Sequence, residues 1–415
     1  AAIITDDAEL DMFSHDVYSR GAPLLAVFRP TDRAMLARGV KAATDQGVAI
    51  IPRGGGMSYT GGYLAPKAGA LLVDTGGLDA IIDINEEDMV VTVEVGCTWD
   101  KLYRALKPKG LHTLAWGTLS GIHATVGGGM SQNGFFWGAS GGTLVDAAIS
   151  FDVVLANGEI LSTGSKFFRP FGPDITGLFA ADAGALGIKA AVRLKLVKEG
   201  TAYAYGSYSF PDSASYFAAM SEVARQGLAS ETFGFDPFLQ AQRMKRESLA
   251  KDAKSLVNMM KAQGSVFKAL KEGVKVVAAG RSFLDDVPFS MHCICEGRHQ
   301  AAVDGDISRI NAIVQKAAGK PVENTIPKIL RVNPFPPVNS MVGPDGERWV
   351  PVHGFLPHSK LNEGWNRIQA LFAENQEQMD ALGVGCGAML AIVNRSACLI
   401  EPVFFWPDEL QHVHK

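Results

Sequence analysis

Apolar positions along this chain recur with two periods, and each change of period marks a new element. Met35, Leu36, Val40 and Ala43 keep to one helical face after Thr31, which suits an N-cap, and Gly47 ends the pattern. Short apolar runs come next: Val48-Ala49-Ile50-Ile51, Leu71-Leu72-Val73, Ile81-Ile82-Asp83-Ile84 and Val90-Val91-Thr92-Val93-Glu94-Val95. The last two flank polar Asn85-Glu86-Glu87-Asp88 and predict a hairpin. Thr98 opens a second helix through Leu102 and Leu106 that Gly110 closes, and residues 145–155 and 159–161 read as strands across Asn157-Gly158. Beyond residue 200 three strand-helix-strand patterns appear. The first has strands at 205–210 and 233–235 with a helix from Ser213; the second a strand at 289–295 and a helix over 307–318; the third a strand at 350–356, a helix over 361–382 and a return over 388–393. Strands that lead into helices and come back predict a sheet covered on one face.

Glycine interrupts the first half three times. The first cluster, Pro52-Arg53-Gly54-Gly55-Gly56-Met57-Ser58-Tyr59-Thr60-Gly61-Gly62, follows a predicted strand directly. Glycine enters φ > 0 freely, so such a run lets successive N–H groups converge and lets an anion approach the main chain. Arg53 adds a permanent forked charge, and the combination suits a diphosphate. There is no G-x-x-x-x-G-K-[ST], and no G-x-G-x-x-G that opens a helix with an acid further on, so the Walker and Rossmann forms are excluded. The second cluster runs from Thr118-Leu119-Ser120-Gly121 through Thr125, Gly128 and Ser131 to Gly134. The third is Gly172-Pro173-Asp174-Ile175-Thr176-Gly177-Leu178-Phe179, then Ala183-Gly184-Ala185-Leu186-Gly187-Ile188.

Composition narrows the classes. At 415 residues, 47% hydrophobic and 20% charged, the chain is globular and long enough for two domains. A net charge of −4 leaves no overall footprint for nucleic acid. Five cysteines without C-x-x-C spacing indicate neither a disulfide framework nor a zinc knuckle. The start lacks the basic and apolar regions of a leader, and no apolar run is long enough to span a bilayer, so the expectation is a cytoplasmic chain, peripheral to a membrane at most.

The ordered motifs P-R-G-G-G-x-S-x-x-G-G, T-x-G-G with N-G, V-x-x-A-N-G-E, G-x-D-I-T-G-L-F and G-x-L-G-I resemble the FAD domain shared by glycolate oxidase flavin subunits, D-lactate dehydrogenases, vanillyl-alcohol oxidase and p-cresol methylhydroxylase. The resemblance covers about residues 25–198. It implies an α+β protein: a two-part FAD-binding domain of the vanillyl-alcohol oxidase type over 1–199, then an α+β cap with an antiparallel sheet over 200–415. It also implies that residues 52–62 (Pro52, Arg53, Gly54, Gly55, Gly56, Met57, Ser58, Gly61 and Gly62) cradle the FAD diphosphate. Thr118, Leu119, Gly121, Thr125, Gly128, Ser131 and Gly134 would then line the flavin and ribityl path, with Gly187 and Ile188 closing over the cofactor.

The chain departs from the family in four ways. Some relatives attach FAD through a histidine where Met57 stands, and others through a His or Tyr in a late cap strand that 394–401 lacks, so noncovalent FAD is expected. The metal motif H-x-G-D-G-N-x-H of the D-2-hydroxyacid enzymes is missing, so no metal is expected. The sequence also stops before the family's usual return segment after the cap, with a naturally short chain and an incomplete sequence as the two alternatives. A flavin oxidises by accepting hydride, so the cap should supply a base and an anchor for the substrate. His353, His358, Arg395 and Glu401 are the candidates, with Arg331 and Arg348 as further forks for a carboxylate; Glu401 and Arg395 could also simply pair with each other. The expected activity is FAD-dependent oxidation of a 2-hydroxy acid of the glycolate or D-lactate type. The alternatives are oxidation of a phenolic or benzylic alcohol, or an FAD-binding subunit of a larger redox complex. The electron acceptor is open among oxygen, a quinone and a carrier protein. Residues 243–275 carry nine basic residues against three acidic ones with amphipathic spacing, which offers a contact for a membrane surface or an acidic redox partner.

Overall fold

The structure, a computed structural model, describes residues 2–170, 172–246, 287–338 and 347–407. Three sheets organise it. The first has four strands in the order Ile3–Ile4, Leu24–Phe28, Ala70–Asp74, Ile50–Arg53, the last three mutually parallel. The second is antiparallel and is centred on the long strand Ile188–Lys198, which pairs with Val90–Glu94, Ala148–Val154 and Leu111–Thr113. The third, of eight strands, is antiparallel throughout and is built entirely from residues after 201. The architecture is α+β, as the resemblance implies.

Side-chain alternation gives the third sheet two different faces. Phe210, Met291, Cys293, Leu390, Ile392 and Ile400 face a core with Phe217, Met220, Val314 and Trp365 from the helices Ser213–Gln226, Gln300–Lys316 and Leu361–Glu374. The opposite face sends Phe233, Phe235, Ile294, Leu399, Val403 and Phe405 into a core shared with Trp99, Trp116, Phe136 and Trp137. Each buried Phe there contributes about 1.5–3 kcal/mol relative to exposure, so the first half of the chain is packed onto this sheet. Glu401, between Leu399 and Val403 in alternation, therefore points toward the half that carries the glycine clusters.

Several elements differ from the pattern-based expectation. Asp32, not Thr31, caps the helix Arg33–Asp45, because its carboxylate accepts the Met35 N–H at 2.7 Å. The helix expected over 361–382 breaks at Asn375, whose Nδ2 donates to Leu371 O at 2.8 Å and competes with the backbone ladder. The strand expected over 350–356 divides into Arg348–Pro351 and Gly354–Pro357. Both parts pair with Ala397–Trp406 in one continuous register, Pro351 opposite Val403 and Gly354 opposite Ile400. Pro351 and Pro402 have no N–H to give, so ladder bonds are lost there while the alignment persists. His353 is thereby set across from Glu401.

The basic stretch lies outside the described residues from 247 onward. Among the described residues no helix is long and apolar enough to cross a membrane.

Candidate functional site

The parallel strand Ile50–Arg53 delivers the first glycine cluster against residues 123–132. A Cβ on Gly54 would lie 2.4 Å from Thr125 Oγ1, and one on Gly55 only 1.9 Å from His123 O, so nothing larger than glycine fits either position. Gly56 has φ +66, in the region that favours glycine. Among the described residues, no acceptor meets the N–H groups of Gly54, Gly55, Gly56 or Met57. The neighbouring helix Val126–Gln132 is different. Its Val126 and Gly127 N–H groups already donate to Cys97 O and Val95 O, both at 2.8 Å, and Gly128 N–H donates to Thr125 Oγ1 at 3.2 Å. The capacity to bind an anion thus resides in the loop, where four successive donors are open.

The loop is held from behind. Buried Asp16 accepts the Gly61 N–H at 3.2 Å and the Tyr18 and Ser19 N–H groups at 2.9 and 2.7 Å. Tyr63 donates its hydroxyl to Ser58 O, and Thr75 Oγ1 donates to Arg53 O, both at 3.1 Å. The Arg53 guanidinium lies 4.9 Å from the Phe13 ring centroid and 5.5 Å from that of Tyr63, packed against Gly56. It supports the loop from one side and adds positive field there. On the other flank Gly184 touches Pro52, and Ala183 N–H donates to Ser131 O at 2.9 Å. Lys189 reaches Asp182 at 2.5 Å and Ser131 Oγ at 3.0 Å, a buried pair that ties the strand after Gly187 to the helix. Burial pulls the Lys189 ammonium below its ordinary range, and Asp182 opposes that.

The other glycines that were expected along the flavin path are small for internal reasons. A Cβ on Gly121 would meet the Phe335 ring at 2.4 Å, on Gly134 the Leu144 and Thr118 side chains at 3.0 Å, and on Gly187 the Val153 side chain at 2.6 Å. Thr118 Oγ1 and Ser120 Oγ are 3.0 Å apart, Leu119 packs on the core, and Ile188 is buried at the start of its strand.

The four candidate catalytic residues divide into two pairs. His353 Nε2 lies 3.0 Å from Glu401 Oε2, with Glu401 almost fully buried. The carboxylate accepts, so Nε2 carries a proton, and no described group meets Nδ1. Burial alone would lower the His353 pKa, but the hydrogen bond and charge of Glu401 outweigh it and raise the pKa. Tyr59, from the glycine loop, stacks on His353 at 6.1 Å and 27°, while Phe135 meets it edge-on at 5.6 Å. Trp349 packs edge-on against Tyr59, and Phe355 against Phe135. The second pair lies elsewhere. His358 Nε2 donates to Arg395 O at 2.9 Å, its Nδ1 is 3.7 Å from Cys398 Sγ on the helix-covered face, and the Arg395 guanidinium sits beside Gly227. Glu401 is thus paired with His353 and not with Arg395. Arg331 is committed too: its Nη2 donates to Glu199 at 3.0 Å and to Tyr203 Oη at 2.9 Å.

Sequence reasoning missed Asp16, the Lys189 and Asp182 pair, and the role of Tyr59. Only Tyr59 had a signal, as the one aromatic residue within 52–62.

Residues 24–164 match the profile of a family described as FAD binding domain. Among curated proteins, the chain is 34% identical over 174 residues to the glycolate oxidase subunit GlcD of Bacillus subtilis, covering 41% of this chain and 37% of that one. It is 25% identical over 294 residues to the alkyldihydroxyacetonephosphate synthase of Caenorhabditis elegans, covering 68% and 46%. The chain thus spans less than half the length of these two relatives. The solved structure of p-cresol methylhydroxylase with substrate bound superposes with a TM-score of 0.73 at 15% identity, over 98% of this chain and 80% of that one, a likeness of fold. The open amides of residues 54–57 and the lack of room for any Cβ at Gly54 and Gly55 fit the diphosphate of FAD.

Proposed function

We propose that this chain is an FAD-dependent oxidoreductase that oxidises a carbon bearing a hydroxyl group, with His353 as the base and Glu401 as its positioning partner. One observation carries the reading: the loop whose amides suit the diphosphate also sends Tyr59 onto His353, whose Nδ1 is left without a partner while Glu401 holds Nε2. Bound FAD would supply the hydride acceptor. The protein's own part is to seat the substrate, take the hydroxyl proton on Nδ1, and stabilise the resulting imidazolium through Glu401, the division of labour between base and orienting carboxylate seen in histidine-carboxylate pairs generally.

The first substrate class is a 2-hydroxy acid, supported by the likeness to a protein named glycolate oxidase subunit. A second reading, an alcohol on an aromatic ring, is favoured by the aromatic lining of Tyr59, Phe135, Trp349 and Phe355, by the commitment of Arg331 elsewhere, and by the position of Arg395 beside Gly227. The FAD is held without a covalent bond, as Met57 implies: acid precipitation should leave the yellow colour in solution, and flavin retained in the pellet would contradict this. Oxygen, a quinone and a carrier protein remain the candidate acceptors, as does service as the flavin subunit of a larger assembly. Anaerobic mixing of the FAD-loaded protein with a panel of 2-hydroxy acids and aryl alcohols tests the reading. Bleaching of the flavin by a member of one class supports that class, and an inert flavin with every donor opposes both.

A further inference from the structure

The residues around His353 include one polar group that the proposed chemistry has not yet used. Tyr59 is half-buried, with its ring fixed between Trp349 and His353, and its hydroxyl has no hydrogen-bond partner among the described residues. Tyr63 donates to Ser58 O, Tyr203 to Glu199 and Tyr208 to Asn311, whereas the buried Tyr216 hydroxyl lacks a partner too; Tyr59 differs from Tyr216 in lying beside a histidine. A phenol at the edge of a packed aromatic cluster normally finds a partner, and leaving it without one costs on the order of 1–3 kcal/mol when water is excluded. Burial, then the charge of Glu401, hold the Tyr59 pKa above the usual phenol range, so the group stays a neutral donor. Its ring stacks on the imidazole whose Nδ1 is also unpartnered, and the two residues come from opposite sides of the site, one from the glycine loop and one from the third sheet.

We infer that the Tyr59 hydroxyl donates a hydrogen bond to the substrate's reacting oxygen and holds that oxygen against His353. The inference rests on the oxidoreductase reading above and deepens it. As the hydroxyl proton passes to His353 Nδ1, negative charge grows on that oxygen, and a neutral donor placed there stabilises it without competing for the proton. Phe135, Trp349 and Phe355 line the position with aromatic rings, although Phe355 is 46% exposed and His353 is open to solvent. Because Tyr59 shares a loop with the diphosphate cradle, it also makes alignment of the substrate depend on a correctly set loop.

The test compares Tyr59→Phe with Tyr59→Leu in the FAD-loaded chain, using whichever panel substrate bleaches the wild-type flavin. Tyr59→Phe keeps the stacking and removes only the donor. It should retain wild-type flavin content and an unshifted acid limb in its pH profile, because the contact of His353 with Glu401 is intact, while the rate of flavin reduction at saturating substrate falls roughly 10²- to 10³-fold. Tyr59→Leu should lose that rate and also move the acid limb, since the imidazole loses its stacking partner. A Tyr59→Phe rate within twofold of wild type would overturn the role of Tyr59 and leave the oxidoreductase reading standing. A wild-type flavin that no alcohol reduces would instead overturn that reading, and the role of Tyr59 with it.

Discussion

At the scale of single residues, the contact of His353 with Glu401 makes opposite demands on pH. The folded pKa of His353 is raised, so its contribution to stability is fully present below the unfolded value of about 6.5 and is lost as pH rises through the folded pKa. A base must be neutral to accept a proton, so flavin reduction should rise over the same interval in which that stabilisation fades. Glu401→Gln keeps a side-chain acceptor near Nε2 but removes the charge that raises the pKa. The expected outcome is an acid limb in the pH profile of flavin reduction displaced to lower pH, measured by stopped-flow bleaching; a limb that stays in place would assign the titration to another group. His353→Asn should lower the rate by roughly 10²- to 10⁴-fold with flavin content unchanged.

At the scale of elements, the glycine loop and its supports decide cofactor retention. Gly55→Val puts a branched side chain where a Cβ alone would lie 1.9 Å from His123 O, so the loop must leave residues 123–125. Flavin content after purification should fall to near zero while the far-ultraviolet circular dichroism is preserved. Asp16→Ala removes the acceptor of Gly61 N–H and of two further N–H groups from behind the loop, and FAD affinity should weaken by about tenfold, roughly the worth of one such lost bond to a charged acceptor. The loop itself was legible in the sequence, because consecutive glycines after an apolar run have few structural uses. Asp16 was not, since it lies 45 residues from Gly61 and its role depends on how the first sheet brings the N-terminal segment beneath the loop. The break at 352–353 was hidden as well: it arises from Pro351 facing the strand that holds Pro402, and which strand faces which is a property of the sheet. For the same reason the sequence left Arg395 open as a partner of Glu401, when cross-strand register supplies His353 from 48 residues away.

At the scale of the whole molecule, a second charged cluster joins the two halves. Arg331, 6% exposed, bridges Glu199 and Glu296 beneath the Trp116 ring, and Lys107 reaches Glu199 at 2.5 Å. His112 completes it. Its Nδ1 is 2.7 Å from Thr113 O and its Nε2 is 3.4 Å from Glu296 Oε1. Both neighbours only accept, so the protonated imidazole is the form that satisfies both contacts. Burial opposes that charge, but the Glu296 hydrogen bond and the Thr113 carbonyl outweigh it, and the pKa is raised. By the sign worked out for His353, this contribution too is present below about pH 6.5 and lost above the folded pKa. Denaturant unfolding should therefore show stability falling as pH rises through that range, with a shallower fall in His112→Asn; an unchanged slope would exclude His112 as a contributor. Arg331→Met should destabilise by about 3 kcal/mol, since it removes the buried cation between Glu199 and Glu296 and leaves them only Lys107 and His112 as partners.

The central claim is that the amides of residues 54–57 hold FAD where a substrate on His353 can reduce it. Anaerobic flavin reduction, followed by absorbance in wild type and His353→Asn loaded with equal FAD, tests it most directly. The account predicts that both proteins bind the cofactor alike, and that a 2-hydroxy acid or aryl alcohol bleaches the wild type while the variant is slower by at least roughly 10². Equal rates in the two proteins, or a wild type that does not retain FAD, would contradict it.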